Sequence, residues 1–293
     1  MNHWIEAARP RTLPAAVVPV AVGTAASARP VADLHLGRAA LALLVALALQ
    51  VAVNFANDLF DGVRGVDTAA RQGPRRAVAS GLITPAAMRN GVGVALSVAG
   101  VAGLVLAALT TWWLVAVGFA CGLAALGYSG GPRPYASAAL GEVFVFVFFG
   151  VVATVGSQWV QDETLLGLSW VAAVPVGLLA VALLVVNNLR DIPTDEAAGK
   201  RTLAVVLGDA RTRRLFALLV RLAIASGVAV ALAGRAPWAL LVIVLGVPAW
   251  RSVIQPVLEG AAGRDLVPVL EATARLHLAN GLVLTVGLLL RAH

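Results

Sequence analysis

Charge is scarce in this chain of 293 residues: only 13% are Asp, Glu, Lys or Arg. Cysteine is scarcer still. Cys121 stands alone in an apolar run, which excludes an internal disulfide and a cysteine-built metal site. Lysine occurs once, as Lys200, and every other basic side chain is arginine. The pattern G-x-x-x-x-G-K-[ST] is missing, so a P-loop is excluded. Met1 to Arg11 has neither an apolar core nor a small-residue cleavage site, so no cleavable signal peptide is expected. The net charge of +7 is spread over short loops and forms no compact basic domain, which argues against nucleic acid as a partner.

What is abundant is apolar surface. Hydrophobic residues make up 60% of the chain, and mean hydropathy is +0.88. A bilayer span needs about 20 predominantly apolar residues. Nine stretches qualify, near 12–28, 39–57, 90–109, 111–128, 138–157, 169–189, 213–233, 236–254 and 269–290. Only Thr110, Thr111, Trp112 and Trp113 divide 90–128. The expected fold class is an all-α polytopic membrane bundle of about nine spans, forming one domain over residues 1–293 with no linker to a second. With the N-terminus inside, 17 of the 22 basic residues fall in the inside segments and four outside, while Arg221 lies within a span. The positive-inside rule then puts the protein in the cell membrane with those segments facing the cytoplasm. The same arginines suit contact with anionic lipid, or a basic mouth for an anionic substrate.

Against that background the acids stand out. Of 15 Asp and Glu, five lie in two short stretches at the ends of apolar runs: Asp58, Asp61 and Asp67, then Asp191 and Asp195. Carboxylates at such places bind cations or carry protons. Asn54, Asp58 and Asp61 are spaced i, i+4, i+7, and Asn187, Asp191 and Asp195 are spaced i, i+4, i+8, so each set occupies one helical face. Asn54-x3-Asp58 is echoed 133 residues later by Asn187-x3-Asp191, and a basic segment follows each. An even number of spans lies between them, which makes this a parallel internal repeat with both stripes at one membrane face. Two facing stripes would repel unless a cation joined them. Mg²⁺ takes hard oxygen ligands and combines a few carboxylates with substrate phosphates. The single lysine, nine residues after Asp191, is a compact charge suited to phosphate. Asn54, Asn57, Arg75, Arg76, Arg133, Lys200 and Arg201 are therefore the candidate contacts to a diphosphate. The competing reading is solvated loop charge, which suits Asp67 and Asp195 best.

Asn57-Asp58-x2-Asp61 with the later Asp67, and Asp191-x3-Asp195, resemble the paired aspartate-rich motifs of the UbiA superfamily of intramembrane aromatic prenyltransferases. The resemblance covers the whole chain. It is closest to the branch acting on 1,4-dihydroxy-2-naphthoate in menaquinone synthesis, through Arg9-Pro-Arg-Thr-Leu-Pro14, Tyr128-Ser-Gly-Gly-Pro-Arg-Pro-Tyr135, Gly141-Glu-Val-Phe-Val-Phe-Val-Phe-Phe149 and Asp195-Glu-Ala-Ala-Gly-Lys-Arg-Thr-Leu203. One departure is that Asp67 follows Asp61 by six positions, where the general pattern has four. The resemblance implies helices around a central cavity, with Asp58, Asp61, Asp67, Asp191 and Asp195 holding two Mg²⁺ ions against a polyprenyl diphosphate. It implies transfer of the polyprenyl group to 1,4-dihydroxy-2-naphthoate, with loss of CO₂ and diphosphate, giving demethylmenaquinone. Arg11, Tyr128, Tyr135 and Glu142 are the candidate contacts to the aromatic acid. Gln50, Arg221 and His277 are further polar groups within or near spans. Two other readings are a sister enzyme using 4-hydroxybenzoate or homogentisate, and a cation-coupled transporter. The transporter is disfavoured because both acid clusters lie at one face, whereas transporter sites lie near the midplane.

Overall fold

The computed structural model describes residues 3–65, 76–132 and 134–291. Asp67, Arg75 and Arg133 lie outside the described residues. Without water to accept their hydrogen bonds, apolar segments in lipid must satisfy their backbone internally, and these segments do so as helices. In chain order they are α1 (His3–Ala8), α2 (Pro14–Ala25), α3 (Leu36–Val63), α4 (Pro85–Leu109), α5 (Trp113–Gly127), α6 (Gly141–Asp162), α7 (Gly167–Ala197), α8 (Leu203–Leu207), α9 (Asp209–Ala233), α10 (Pro237–Leu258) and α11 (Leu266–Leu289). Among the described residues the one β-type pairing outside the helices is a single bridge between Ala138 and Arg201.

Among the described residues seven helical segments are long and apolar enough to cross a membrane, and α2 and α5 are shorter apolar helices. Together they match the nine expected stretches, and the break at Thr110–Trp112 separates α4 from α5 as the tryptophans suggested. The main differences are at the ends that carry the acids. The expected spans stopped at residues 57 and 189, but α3 continues to Val63 and α7 to Ala197. The aspartates are therefore in the last helical turns, not in loops. Asp195, assigned above as the best candidate for a solvated charge together with Asp67, is buried.

Helix α3 runs along α4, α7 runs along α9, and α11 packs on α2, closing the bundle. Small residues let backbones approach where packing replaces the hydrophobic effect. A Cβ built on Gly150 of α6 would lie 2.7 Å from the Cα of Gly177 on α7. One apolar core fills the space among α7, α9, α10 and α11 with Val185, Phe216, Val220, Val253 and Leu276. A smaller one, Phe55, Leu59, Val78 and Met88, lies beside the end of α3. The acid-bearing helices α3 and α7 do not pack along each other among the described residues, which leaves space between the two stripes.

The far end of the bundle is pinned shut by polar contacts. Asp162 accepts hydrogen bonds from the Ser27 hydroxyl (2.9 Å), the Ala28 amide (3.2 Å) and Gln158 (2.7 Å). Arg38 bridges Glu163 at 2.8 Å and donates to the Leu109 carbonyl at 2.8 Å.

Candidate active site

The two stripes meet through Lys200. Helix α7 ends at Ala197, and Gly199 takes a left-handed φ of 70°. Glycine adopts this conformation freely and so serves as the reversal after a helix. The reversal lets the Lys200 amide donate to the Asp195 carbonyl at 2.8 Å, closing the helix end. The side chain then turns back, and its Nζ stands 3.4 Å from an Asp61 carboxylate oxygen on α3. Ala139 and Arg201 pair through their backbones at 3.1 Å, which ties the 128–140 loop to the same turn. Arg201 itself is exposed. The result is a polar pocket of about 340 Å³ lined by Asp61, Arg64, Gly131, Pro134, Ser137 and Lys200, among others.

The first acid of each stripe is engaged differently from the second. Asp58 is almost wholly buried, and its two oxygens accept the backbone amides of Ala77 (3.0 Å) and Val78 (2.9 Å). It thereby fixes the turn that begins at Arg76, itself buried. Asp191 is gripped by both arms of Arg190, from Nε and Nη2 at 2.7 Å each, while Arg190 also donates to Asn187 at 2.8 Å. Such two-pronged, charge-assisted contacts are the strong ones. Asp61 instead faces Lys200 and the pocket, and Asp195 lies one turn beyond Asp191 on α7, at the pocket end.

The asparagines also divide. Asn54 donates to the Ala8 carbonyl (2.8 Å) and the Thr12 hydroxyl (3.0 Å), and accepts from Gln50 at 3.3 Å. It fastens the segment carrying Arg9 and Arg11 to α3. Asn57 accepts from Ser129 at 3.1 Å. Arg64 joins it by donating to the Ser129 carbonyl at 2.8 Å and to the Gly131 carbonyl. The Tyr128–Tyr135 loop is thus stitched to the end of α3.

That loop supplies the aromatic side. Tyr128 is packed edge-on against Tyr135, with ring centres 5.4 Å apart. Tyr128 is half-buried, within electrostatic reach of Glu142, Asp61 and Arg9. Its hydroxyl is a hydrogen-bond donor. Tyr135 stacks on Phe144 at 3.9 Å and donates its hydroxyl to the Ala124 carbonyl at 2.6 Å. Buried Glu142 accepts from Asn188 at 3.1 Å. Arg11 points elsewhere, to Glu271 on α11 at 2.9 Å. Arg221 lies over the Trp250 ring, and among the described residues neither nitrogen of fully buried His277 has a hydrogen-bond partner.

Sequence reasoning passed over Arg64, Arg190 and Asn188. The available signal was their position: Arg64 lies three positions from Asp61, and Asn188 and Arg190 lie three and one from Asp191, where an uncompensated polar group would be costly.

The geometry agrees with what the chain resembles. The model of the UbiA prenyltransferase family matches residues 16–260. A protein of Mycobacterium tuberculosis named 1,4-dihydroxy-2-naphthoate octaprenyltransferase is 47% identical, over 92% of this chain and 91% of its own. The protein of the same name from Escherichia coli is 40% identical, over 74% of this chain and 72% of its own. Among solved structures, a UbiA homologue from Archaeoglobus fulgidus bound to GPP and Mg²⁺ superposes with a TM-score of 0.69. That match covers 97% of this chain and 99% of the homologue, at 16% identity.

Proposed function

The chain belongs to the UbiA prenyltransferase family and is a prenyltransferase, and from that premise we propose that it moves a polyprenyl group from its diphosphate to 1,4-dihydroxy-2-naphthoate. The observation that carries this reading is the Lys200–Asp61 contact at 3.4 Å, which joins the two acid stripes over a polar pocket. A lysine charge, carboxylates and arginines around one mouth suit a diphosphate with its cation. The names of the relatives supply the acceptor. The protein works as one transmembrane domain over residues 1–293, in the cell membrane, with the pocket facing the cytoplasm.

Among the described residues no three His, Cys, Asp or Glu converge as a ready-made metal cluster. That fits Mg²⁺, which is typically held by one or two carboxylates and completed by substrate phosphates and water. Asp61 and Asp195 would hold it foremost. Asp58 and Asp191 have lone pairs to spare, since a carboxylate offers about four acceptor sites. Asp67 would complete the first stripe. When bound there, the cation would supply positive charge against the departing diphosphate.

The remaining work falls to the chain's own groups. Lys200, with Arg64, Arg75, Arg76, Arg133 and Arg201, would stabilise the negative charge that grows as the allylic C–O bond breaks and its electron pair leaves with diphosphate. The naphthoate ring donates a pair to the allylic carbon, forming the new C–C bond. The electrons of the carboxylate bond return to the ring as CO₂ departs, leaving demethylmenaquinone in its hydroquinone form. Tyr128 would donate to the acceptor, and Glu142 with Asn188 would orient its hydroxyls. Arg9, whose charge reaches Tyr128, takes the place expected of Arg11. The apolar bundle excludes water that would quench the cation-like carbon.

Purified protein with Mg²⁺, a labelled prenyl diphosphate and each candidate acid tests this. Prenylated product from 1,4-dihydroxy-2-naphthoate is expected. Product only with 4-hydroxybenzoate or homogentisate moves the chain to a sister activity, and no product with any acid overturns the proposal.

A further inference from the structure

Helix α9 carries Arg221 at the midpoint of its 25 residues, and the side chain is exposed on the outer face of the bundle. Its guanidinium lies 5.4 Å from the centre of the Trp250 ring on α10. The depth follows from the register. Arg213 donates to the carbonyls of Val257 (2.7 Å) and Ala261 (2.8 Å) at the end of α10. Eight residues further along α9, at about 1.5 Å each, place Arg221 roughly 12 Å deeper, level with Trp250. Arg251 is exposed beside Trp250, and Arg214 is exposed two turns before Arg221, on the same face of α9. Three arginines thus line one lipid-facing cleft between α9 and α10, at the membrane face that holds the aspartate site.

The nearby carboxylates are engaged elsewhere: Asp209 by Arg213 at 2.6 and 2.8 Å, and Glu259 by Gln255 at 2.7 Å. Among the described residues no carboxylate pairs with Arg214, Arg221 or Arg251. Charged side chains inside a span ordinarily face the bundle interior or an opposite charge; Arg221, at the midpoint of α9, is exposed with the Trp250 ring against it. The backbone is also irregular here. Helix α10 passes from a 3₁₀ segment through one α turn into a π turn at Trp250–Ile254. Such insertions re-aim side chains and recur at functional sites.

We propose that this cleft binds the phosphate headgroup of an anionic phospholipid. Guanidinium groups match phosphate oxygens in pairs, and basic pockets between membrane helices take up such headgroups. A second copy of the chain fits less well. An isologous contact would set arginine against arginine, and the exposed acids among the described residues lie at helix ends or in loops, not at mid-span. Free phosphate would have to leave water, whereas a lipid brings its phosphate from within the bilayer.

The test uses the full-length protein, delipidated in detergent, with phosphatidylglycerol or phosphatidylcholine of the same acyl chains, or inorganic phosphate. Native mass spectrometry reads retained lipid, and a melting curve reads stabilisation. Phosphatidylglycerol is expected to remain bound and to raise the Tm more than phosphatidylcholine does. That difference should shrink in Arg251→Gln, vanish in Arg221→Gln/Arg251→Gln, and persist in Arg89→Gln, an exposed arginine on α4 far along the chain. If the double variant fails to fold, Arg214→Gln/Arg251→Gln takes its place. Equal response to both lipids, an equal response to inorganic phosphate, or an undiminished difference in the variants would each overturn the proposal.

Discussion

Asp58 and Asp191 occupy matching positions in the two halves, yet the protein itself already holds both: one accepts two backbone amides, the other both arms of an arginine. Asp61 faces the pocket with Lys200. This division predicts different failures. Asp61→Asn should lose turnover while melting as the parent does. Asp58→Asn should lose turnover and also about 1–3 kcal/mol of stability, because an amide cannot accept both backbone bonds. Melting curves beside initial rates separate the two, and an unchanged Tm in Asp58→Asn would remove its anchoring role. Lys200→Met should cut the rate by about 10²–10³-fold, the usual loss when one donor to a developing anion is removed. A rate within threefold of the parent would dismiss it. Arg190→Met should be the least stable of these variants, by about 3–5 kcal/mol, since buried Asp191 loses the two-pronged contact of a buried arginine. Arg190→Met/Asp191→Leu should recover much of the stability but no activity.

The helices explain why these side chains are where they are. Asp58 and Asp61 lie in the last two turns of α3, and Asp191 and Asp195 in the last two of α7, so each helix delivers its acids to the membrane face and leaves the loop to return over them. Gly199 makes that return at the end of α7, and Thr202 caps the next helix by accepting the Val205 amide at 3.3 Å. Farther from the chemistry, α6 and α7 touch at Gly150 and Gly177, where a Cβ on Gly177 would also meet the Phe146 ring at 2.7 Å. Gly177→Val must push α6 away. The expected outcome is a Tm several degrees lower and a reduced rate, because α6 carries Glu142. Full activity with an unshifted Tm would show that this crossing does not position the site.

For the whole molecule, the bundle is pinned at the Asp162 end and its polar pocket lies at the Asp61 end, so on the proposed reading substrate, cation and product would share one mouth. Removing divalent metal with a chelator should abolish turnover without unfolding, since the described acids already have protein donors or Lys200 beside them. Added Mg²⁺ should restore the rate. Circular dichroism that collapses on chelation would mean the metal is structural instead, and turnover that persists would remove it from the reaction.

Much of this was readable in the residues alone. A composition with little charge and long apolar runs allows only a helical membrane bundle, because lipid offers the backbone no other partner. The spacing of Asn54, Asp58 and Asp61, and of Asn187, Asp191 and Asp195, determined two acid faces at one end, because helical geometry follows from sequence distance. The single lysine stood out as a candidate phosphate contact, and the structure sets it beside Asp61. What spacing could not reveal was who answers each charge. Arg190 beside Asp191, the amides of residues 77 and 78 beneath Asp58, Arg11 turned to Glu271, and the reach of Lys200 across to Asp61 all depend on which helices and loops meet. Lys200 and Asp61, and Arg11 and Glu271, lie more than a hundred positions apart, the Asp58 contacts span 19 and 20, and even the adjacent Arg190 could turn away from Asp191; packing and side-chain direction decide all of them, and only the tertiary structure holds that information.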